Sequence, residues 1–125
     1  QVIFDHSQEE NTDCLGLVSG RVERFPGMVD TERLKVPQIG WNQVHYSKTH
    51  PIFENVADGQ AFYFVNSYRP VPASDDITYA TTEYGITFPC VIAQDNIVAT
   101  QFHLEKSGEP GLKMLENFCR WDGIL

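Results

Sequence analysis

Two apolar runs of strand length constrain this chain more than any other feature of its sequence. Residues 61–65 read Ala-Phe-Tyr-Phe-Val, and residues 88–93 read Phe-Pro-Cys-Val-Ile-Ala. A continuous apolar run of this length is typical of a strand that is covered on both faces of a sheet. We therefore expect a globular domain built on a sheet, and the ordinary composition excludes a disordered or collagen-like chain.

Further segments with strand character surround these two runs. They are residues 15–25, 37–46, 77–82 and 97–102. The dipeptide Asp95-Asn96 separates two apolar segments, and it predicts a hairpin turn because both residues tolerate positive φ. The sequence therefore predicts about six or seven strands.

The C-terminal region changes from a strand pattern to a helical one. Leu112, Leu115 and Phe118, with Cys119, recur at helical spacing, which predicts one amphipathic helix with this apolar face in the core. Pro110 lies near the predicted start of the helix, where its missing N–H group costs nothing. The chain is thus expected to be a strand-rich α/β domain.

Composition excludes several classes of function. The 125 residues suffice for one domain, and 17 acidic against 9 basic residues give a net charge of −8. This charge repels nucleic-acid backbones and anionic lipids, which argues against binding to nucleic acid or to a membrane surface. No apolar run approaches the ~20 residues that a transmembrane helix needs. The three cysteines, Cys14, Cys90 and Cys119, form no paired motif. We read them as reduced thiols of a cytoplasmic protein, and we expect neither a cofactor nor a bound metal.

The segment Gln-Phe-His-Leu-Glu-Lys-Ser-Gly, residues 101–108, carries the clearest chemistry. It follows a predicted strand and precedes the predicted helix, a place where open α/β sheets often hold their sites. In an extended chain His103 and Glu105 share a face, because side chains alternate along a strand. A carboxylate beside an imidazole fixes its tautomer and stabilises its protonated form, which suits a general base serving a nucleophile.

Four ordered motifs together resemble the class I glutamine amidotransferases. The segment at residues 101–105 is similar to their Gln-Phe-His-Pro-Glu pattern, and residues 115–118 are similar to Leu-x-Asn-Phe. Within these enzymes, residues 37–44, residues 62–68 and residues 1–17 resemble segments of the glutaminase subunits of imidazole glycerol phosphate synthases. The resemblance implies a single partial amidotransferase domain over residues 1–125, the C-terminal, strand-rich part of a flavodoxin-like mixed sheet.

The resemblance also implies roles for individual residues. His103 would be the base of a Cys-His-Glu triad, and Glu105 would orient it. The residues implied in binding the substrate glutamine are Gln1, Glu9, Ser67 and Tyr68. Glu9 would receive the α-ammonium group of that substrate.

A protein partner is implied as well. Ammonia released from glutamine would pass through a protein channel to a cyclase subunit in histidine biosynthesis. The residues implied in facing that subunit are Trp41, Asn42, Tyr63 and Lys106.

The sequence departs from the family pattern at three points. Leu104 stands where the family has proline, which removes a local restraint on the base, and Asn66 stands where it has histidine, which removes a group that can be protonated. The family nucleophile, a cysteine in Gly-x-Cys-x-Gly-x-Gln, would lie four positions before Gln1. Because the chain opens within what looks like a helix, we expect the front of a larger domain to be absent. We therefore predict that the chain alone is inactive.

Other interpretations stay open at this stage. Cys14 lies in Cys-Leu-Gly and could be a nucleophile, but a strand-like rather than a helical segment follows it. Metal binding by His45 and His50 lacks a nearby third ligand, and a hydrolase built on Ser67 lacks a Gly-x-Ser-x-Gly turn. The alternative to an amidotransferase part is a non-catalytic module that binds a partner or forms a homo-oligomer.

Overall fold

The computed structural model describes all of residues 1–125, which form twelve strands, four 3₁₀ turns and one α-helix. In chain order these are β1 (His6–Ser7), β2 (Thr12–Asp13), β3 (Gly20–Arg24), β4 (Met28–Val29), β5 (Glu32–Arg33), β6 (Gln38–Gln43), β7 (His45–Tyr46), β8 (Ala61–Asn66), β9 (Tyr68–Pro72), β10 (Thr78–Tyr84), β11 (Ile86–Gln94), β12 (Ile97–Thr100) and α1 (Gly108–Arg120). Five of the strands have only two residues, too few to produce a periodic signal in the sequence.

The strands form four separate groups. Two are four-stranded sheets, with the orders β2-β1-β3-β9 and β12-β11-β10-β7, and two are the ribbons β4-β5 and β6-β8. The pair β1–β3 is parallel, and every other pair is antiparallel. A mixture of several strands and one helix agrees with the expected α/β class.

The two apolar runs differ in how completely they are buried. The run at residues 88–93 lies in β11, where Phe88 and residues 90–93 are buried, as predicted. The run at residues 61–65 lies in β8, where Phe62 and Phe64 are buried but Val65 is 40% exposed. The expectation of cover on both faces is wrong for β8, because this strand pairs only with β6 and only one face of the ribbon packs on the core.

The predicted hairpin lies where the sequence placed it. Gln94 pairs with Ile97 across the turn, and Asp95 has a φ of 53°. The chain then reaches Phe102, which is buried in the main core with its ring centroid 4.4 Å from that of Phe62. The core therefore anchors the residue immediately before His103.

The N-terminal region contradicts two expectations. Residues 1–5 form a turn rather than a helix, and β3 is the only strand within residues 15–25. The reason is that residues 14–18 donate their backbone N–H groups to residues 2–5, for example Leu15 to the carbonyl of Val2 at 3.0 Å. Two irregular segments thus satisfy each other's backbone groups without forming a regular element.

Helix α1 forms as predicted but presents the opposite face to the core. Its buried residues are Gly111, Met114 and Asn117, whereas the predicted apolar face of Leu112, Leu115, Phe118 and Cys119 is exposed. A Cβ atom on Gly111 would lie 2.2 Å from the backbone oxygen of Leu104, so only glycine fits against that loop. The Asn117 amide donates to the carbonyls of Ile52 and Glu54. Steric fit and hydrogen bonds, rather than apolar content, decide which face packs.

Neither α1, at 13 residues, nor any other helix of the chain has the length and apolar character needed to cross a membrane.

Candidate active site

The loop between β12 and α1 holds His103 and Glu105 in direct contact. Nδ1 of His103 lies 2.8 Å from Oε1 of Glu105, and the His103 backbone N–H donates to the carbonyl of Tyr63 at 3.0 Å. A 3₁₀ turn at Leu104–Lys106 brings the two side chains together, in place of the extended segment that the sequence indicates. The imidazole is 41% exposed, so a reacting group can reach it.

The charge on Glu105 decides the tautomer of His103. A hydrogen bond from its own backbone N–H, and next the His103 ring, hold the pKa of the Glu105 carboxyl below its usual range. An ionised carboxylate only accepts hydrogen bonds, so Nδ1 of His103 carries the proton that is donated to it. Nε2 is then free to accept a proton from a nucleophile, which is the task of a general base.

Ser107 fixes this loop, a role that the sequence does not indicate. Its side chain is fully buried; Oγ accepts from the Tyr63 N–H at 3.0 Å and donates to the His103 carbonyl at 2.5 Å. A serine just before a helix is usually a sign of an N-terminal cap, but this hydroxyl makes no cap bond. Ser107 instead connects the backbone of His103 to that of Tyr63 in β8.

Three of the four predicted substrate residues lie near this loop or share a cleft. The Gln1 side-chain amide donates to the Tyr68 carbonyl and to Oε1 of Gln101, both at 2.7 Å. Gln1 and Glu9 also line one cleft. Ser67, the fourth, makes none of these contacts; its backbone carbonyl accepts from the Phe25 N–H at 3.0 Å.

Three of the four predicted partner-facing residues form one surface group. Trp41 and Tyr63 are directly opposite each other in the β6–β8 register, with ring centroids 5.9 Å apart, and Trp41 is 58% exposed. Nζ of Lys106 lies 5.9 Å from the Tyr63 centroid. We call Trp41, Tyr63 and Lys106 the aromatic patch. Asn42 points to the other face of β6, where its amide donates to the Glu83 carbonyl at 2.6 Å.

None of the three cysteines contacts His103. Cys90 is buried in the core, and this burial raises the pKa of its thiol. The core position predicted for Cys119 is wrong, because that residue is exposed on α1. Cys14 is half-buried, and its Sγ lies 3.6 Å from the Thr12 carbonyl oxygen. The only hydrogen-bonding partner of the His103 ring is Glu105.

The two histidines considered as metal ligands lie in different settings. Nδ1 of His45 lies 3.9 Å from the Asp58 carboxylate at the surface. His50 is buried, with Nδ1 accepting from the Ile52 N–H at 3.1 Å and its ring 4.9 Å from that of Trp121. No group of three or more His, Cys, Asp and Glu side chains in the chain could hold a metal ion.

The burial of His50 leads to a prediction about stability and pH. Burial lowers the pKa of His50 in the folded state, so the unfolded chain binds a proton more readily. The free energy of unfolding should therefore be highest above about pH 6.5 and fall as the pH decreases through the folded-state pKa. Urea unfolding from pH 5 to 7.5 measures this dependence. His50→Asn, which keeps an acceptor for Ile52, should flatten it, and an equally steep dependence in that variant would contradict the assignment.

The sequence of the chain is similar to those of known proteins over most of its length. The family model for glutamine amidotransferase class-I matches residues 11–121. The chain belongs to the class-I glutamine amidotransferase family.

Three curated relatives carry the name imidazole glycerol phosphate synthase subunit HisH. The protein of Chromobacterium violaceum is 49% identical over 125 residues, covering 98% of this chain and 59% of the relative. That of Dehalococcoides mccartyi is 50% identical over 121 residues, covering 96% and 57%. That of Nitrosospira multiformis is 49% identical over 128 residues, covering 99% and 60%. This class-I amidotransferase chain thus spans somewhat more than half the length of these relatives.

Proposed function

We propose that this chain carries the general base of a glutamine amidotransferase that hydrolyses glutamine and delivers ammonia to the cyclase subunit of imidazole glycerol phosphate synthase, in histidine biosynthesis. Family membership and the names of the relatives support this proposal. The observation that carries it is the 2.8 Å contact between His103 and Glu105, with the second nitrogen of the imidazole unpaired.

The proposed reaction uses His103 twice. Nε2 first takes the proton of a cysteine thiol, whose sulfur attacks the side-chain amide carbon of glutamine, and it then gives that proton to the departing ammonia. Water hydrolyses the resulting thioester to glutamate with the same base. The cysteine is proposed to come from a Gly-x-Cys-x-Gly turn in the portion of the relatives that has no counterpart here.

The cleft lined by Gln1 and Glu9 is the proposed place for the substrate. The exposed Glu9 carboxylate suits the α-ammonium group of glutamine, because opposite charges attract and no cation pairs with Glu9 in the structure. The Gln1 amide connects this cleft to Tyr68 and Gln101, two residues before the base.

A chimaera tests the proposal. The part of the Chromobacterium violaceum relative that this chain does not match is joined to residues 1–125, and ammonia release from glutamine is measured. We expect Glu105→Gln to lower kcat by about 10²–10⁴, because an amide in that place favours the wrong tautomer of His103. Asp95→Asn, an exposed carboxylate in the hairpin turn, is the matched control. Unchanged kcat in Glu105→Gln would overturn the assigned role.

One observation favours a second function, that of a self-associating module. Helix α1 exposes Leu112, Leu115 and Phe118 by 59%, 41% and 47%, and these lie three residues apart on one face. An apolar stripe of this kind is common where another protein surface packs. We propose that two copies of the chain cover it for each other.

Sedimentation of the isolated chain tests self-association. We expect a dimer at high protein concentration, and we expect Leu115→Glu to shift the chain to a monomer because a charge cannot be buried in that contact without cost. Glu116→Gln, a neighbouring exposed position outside the stripe, should leave the dimer intact. A compact monomer of the unaltered chain at high concentration would refute this second function.

A further inference from the structure

A cleft beside β3 gathers three cationic side chains that make no ion pair. Arg24, Arg33 and Lys35 line it, and all three are exposed. Of the nine Lys and Arg residues in the chain, those that pair with a carboxylate are Arg21, Arg69, Lys113 and Arg120. Three of the five unpaired cations therefore meet in this one cleft.

No acidic residue lines the cleft, although acidic residues outnumber basic ones by 17 to 9 in the chain. The rest of its lining consists of Phe25, Gly27, Leu34 and Val36. Because no carboxylate lines the cleft, an incoming anion does not compete there with a negative charge of the lining itself.

Several contacts hold the cleft in shape. The Leu34 N–H donates to the Gly27 carbonyl at 3.0 Å and closes the loop that carries Arg33. The Tyr84 hydroxyl donates to the backbone carbonyl of Lys35. The Arg24 guanidinium lies 5.8 Å from the centroid of the Tyr68 ring. The loop that carries Arg33 and Lys35 is therefore held by hydrogen bonds before any ligand binds.

We propose that this cleft binds the phosphate group of a small phosphate ester. A phosphate monoester carries a charge of about −1.5 to −2 and three strong acceptor oxygens, which suit the three cations that line this cleft, two of them arginines that can donate two hydrogen bonds each. A single carboxylate would leave two of the cations unmatched. The apolar walls suit the carbon chain of an ester, and the net charge of −8 repels longer phosphate polymers. The site is separate from the His103–Glu105 pair.

Nuclear magnetic resonance of the isotope-labelled 125-residue chain tests this site. The chain is titrated with glycerol phosphate, with inorganic phosphate, and with sodium chloride at matched ionic strength. We expect saturable shifts of the backbone amide signals of residues 24–36 with both phosphate probes and none with chloride. The double variant Arg33→Gln, Lys35→Gln should bind glycerol phosphate at least about tenfold more weakly, because the loss of even one charge-assisted bond has about that effect.

Two further variants separate a specific site from general attraction to positive charge. Lys48→Gln removes another exposed cation that has no carboxylate partner and should leave the affinity unchanged. Arg33→Lys with Lys35→Arg keeps the charges and should retain most of the affinity. The spectrum of each variant reports whether it is folded. Shifts that chloride reproduces, no saturation by glycerol phosphate, or unweakened binding by the folded Gln double variant would each overturn the proposal.

Discussion

The 125-residue chain by itself should release no measurable ammonia from glutamine, and the chimaera described above should restore the activity by at least about three orders of magnitude. His103 and Glu105 can activate a nucleophile, but they cannot form the thioester that divides amide hydrolysis into two easier steps. Cys90 is held in the core with a raised thiol pKa, and Cys119 is on the outer face of α1, so neither thiol serves the base.

Two substitutions complete this test. His103→Ala in the chimaera should remove the restored activity, because no other imidazole contacts Glu105. Cys14→Ser is the decisive variant of the bare chain, since Cys14 shares a cleft with Gln1 and Glu9. Ammonia released by the bare chain and abolished in Cys14→Ser would show that Cys14 is the nucleophile and that our assignment is wrong.

The pairing of His103 with Glu105 could be predicted from the sequence, but the geometry that achieves it could not. Alternation along a strand predicts that residues two apart share a face. The chain instead turns at Leu104–Lys106, and the two side chains meet across a 3₁₀ turn. This turn depends on Ser107, whose hydroxyl binds the backbone of Tyr63, a residue 44 positions away. A contact between residues this far apart in the chain produces no recognisable pattern in the sequence of either segment.

For helix α1, the sequence predicts the helix itself but not the face that packs on the core. Its existence was predictable because the apolar residues have helical spacing. Its orientation was not, because the packing face is chosen by the space that Gly111 leaves for the Leu104 carbonyl and by the two hydrogen bonds of Asn117. The periodicity of a sequence shows which residues share the apolar face of a helix, but it does not show whether that face fits sterically against the rest of the domain. An apolar stripe in a sequence can therefore mark a surface that another protein covers.

Trp41→Ala in the chimaera should weaken binding of the cyclase subunit by roughly 1–4 kcal/mol, about fivefold to a thousandfold in affinity. The prediction rests on the aromatic patch. The Trp41 ring is 58% exposed and is supported from one side by Tyr63, so burying it against a partner removes a large apolar area from water without rearranging the strand. Isothermal titration with the cyclase subunit measures the change.

The position of the aromatic patch makes this the most informative interface test. Tyr63 supports the Trp41 ring with its side chain, while its backbone carbonyl accepts from the His103 N–H. Leu112→Ala, an exposed apolar residue on α1, is the matched control and should leave cyclase affinity unchanged. Unchanged affinity of a folded Trp41→Ala variant would exclude Trp41 as an interface anchor. A loss confined to Trp41→Ala would place the cyclase subunit on the same ribbon that holds the backbone of His103, the proposed base.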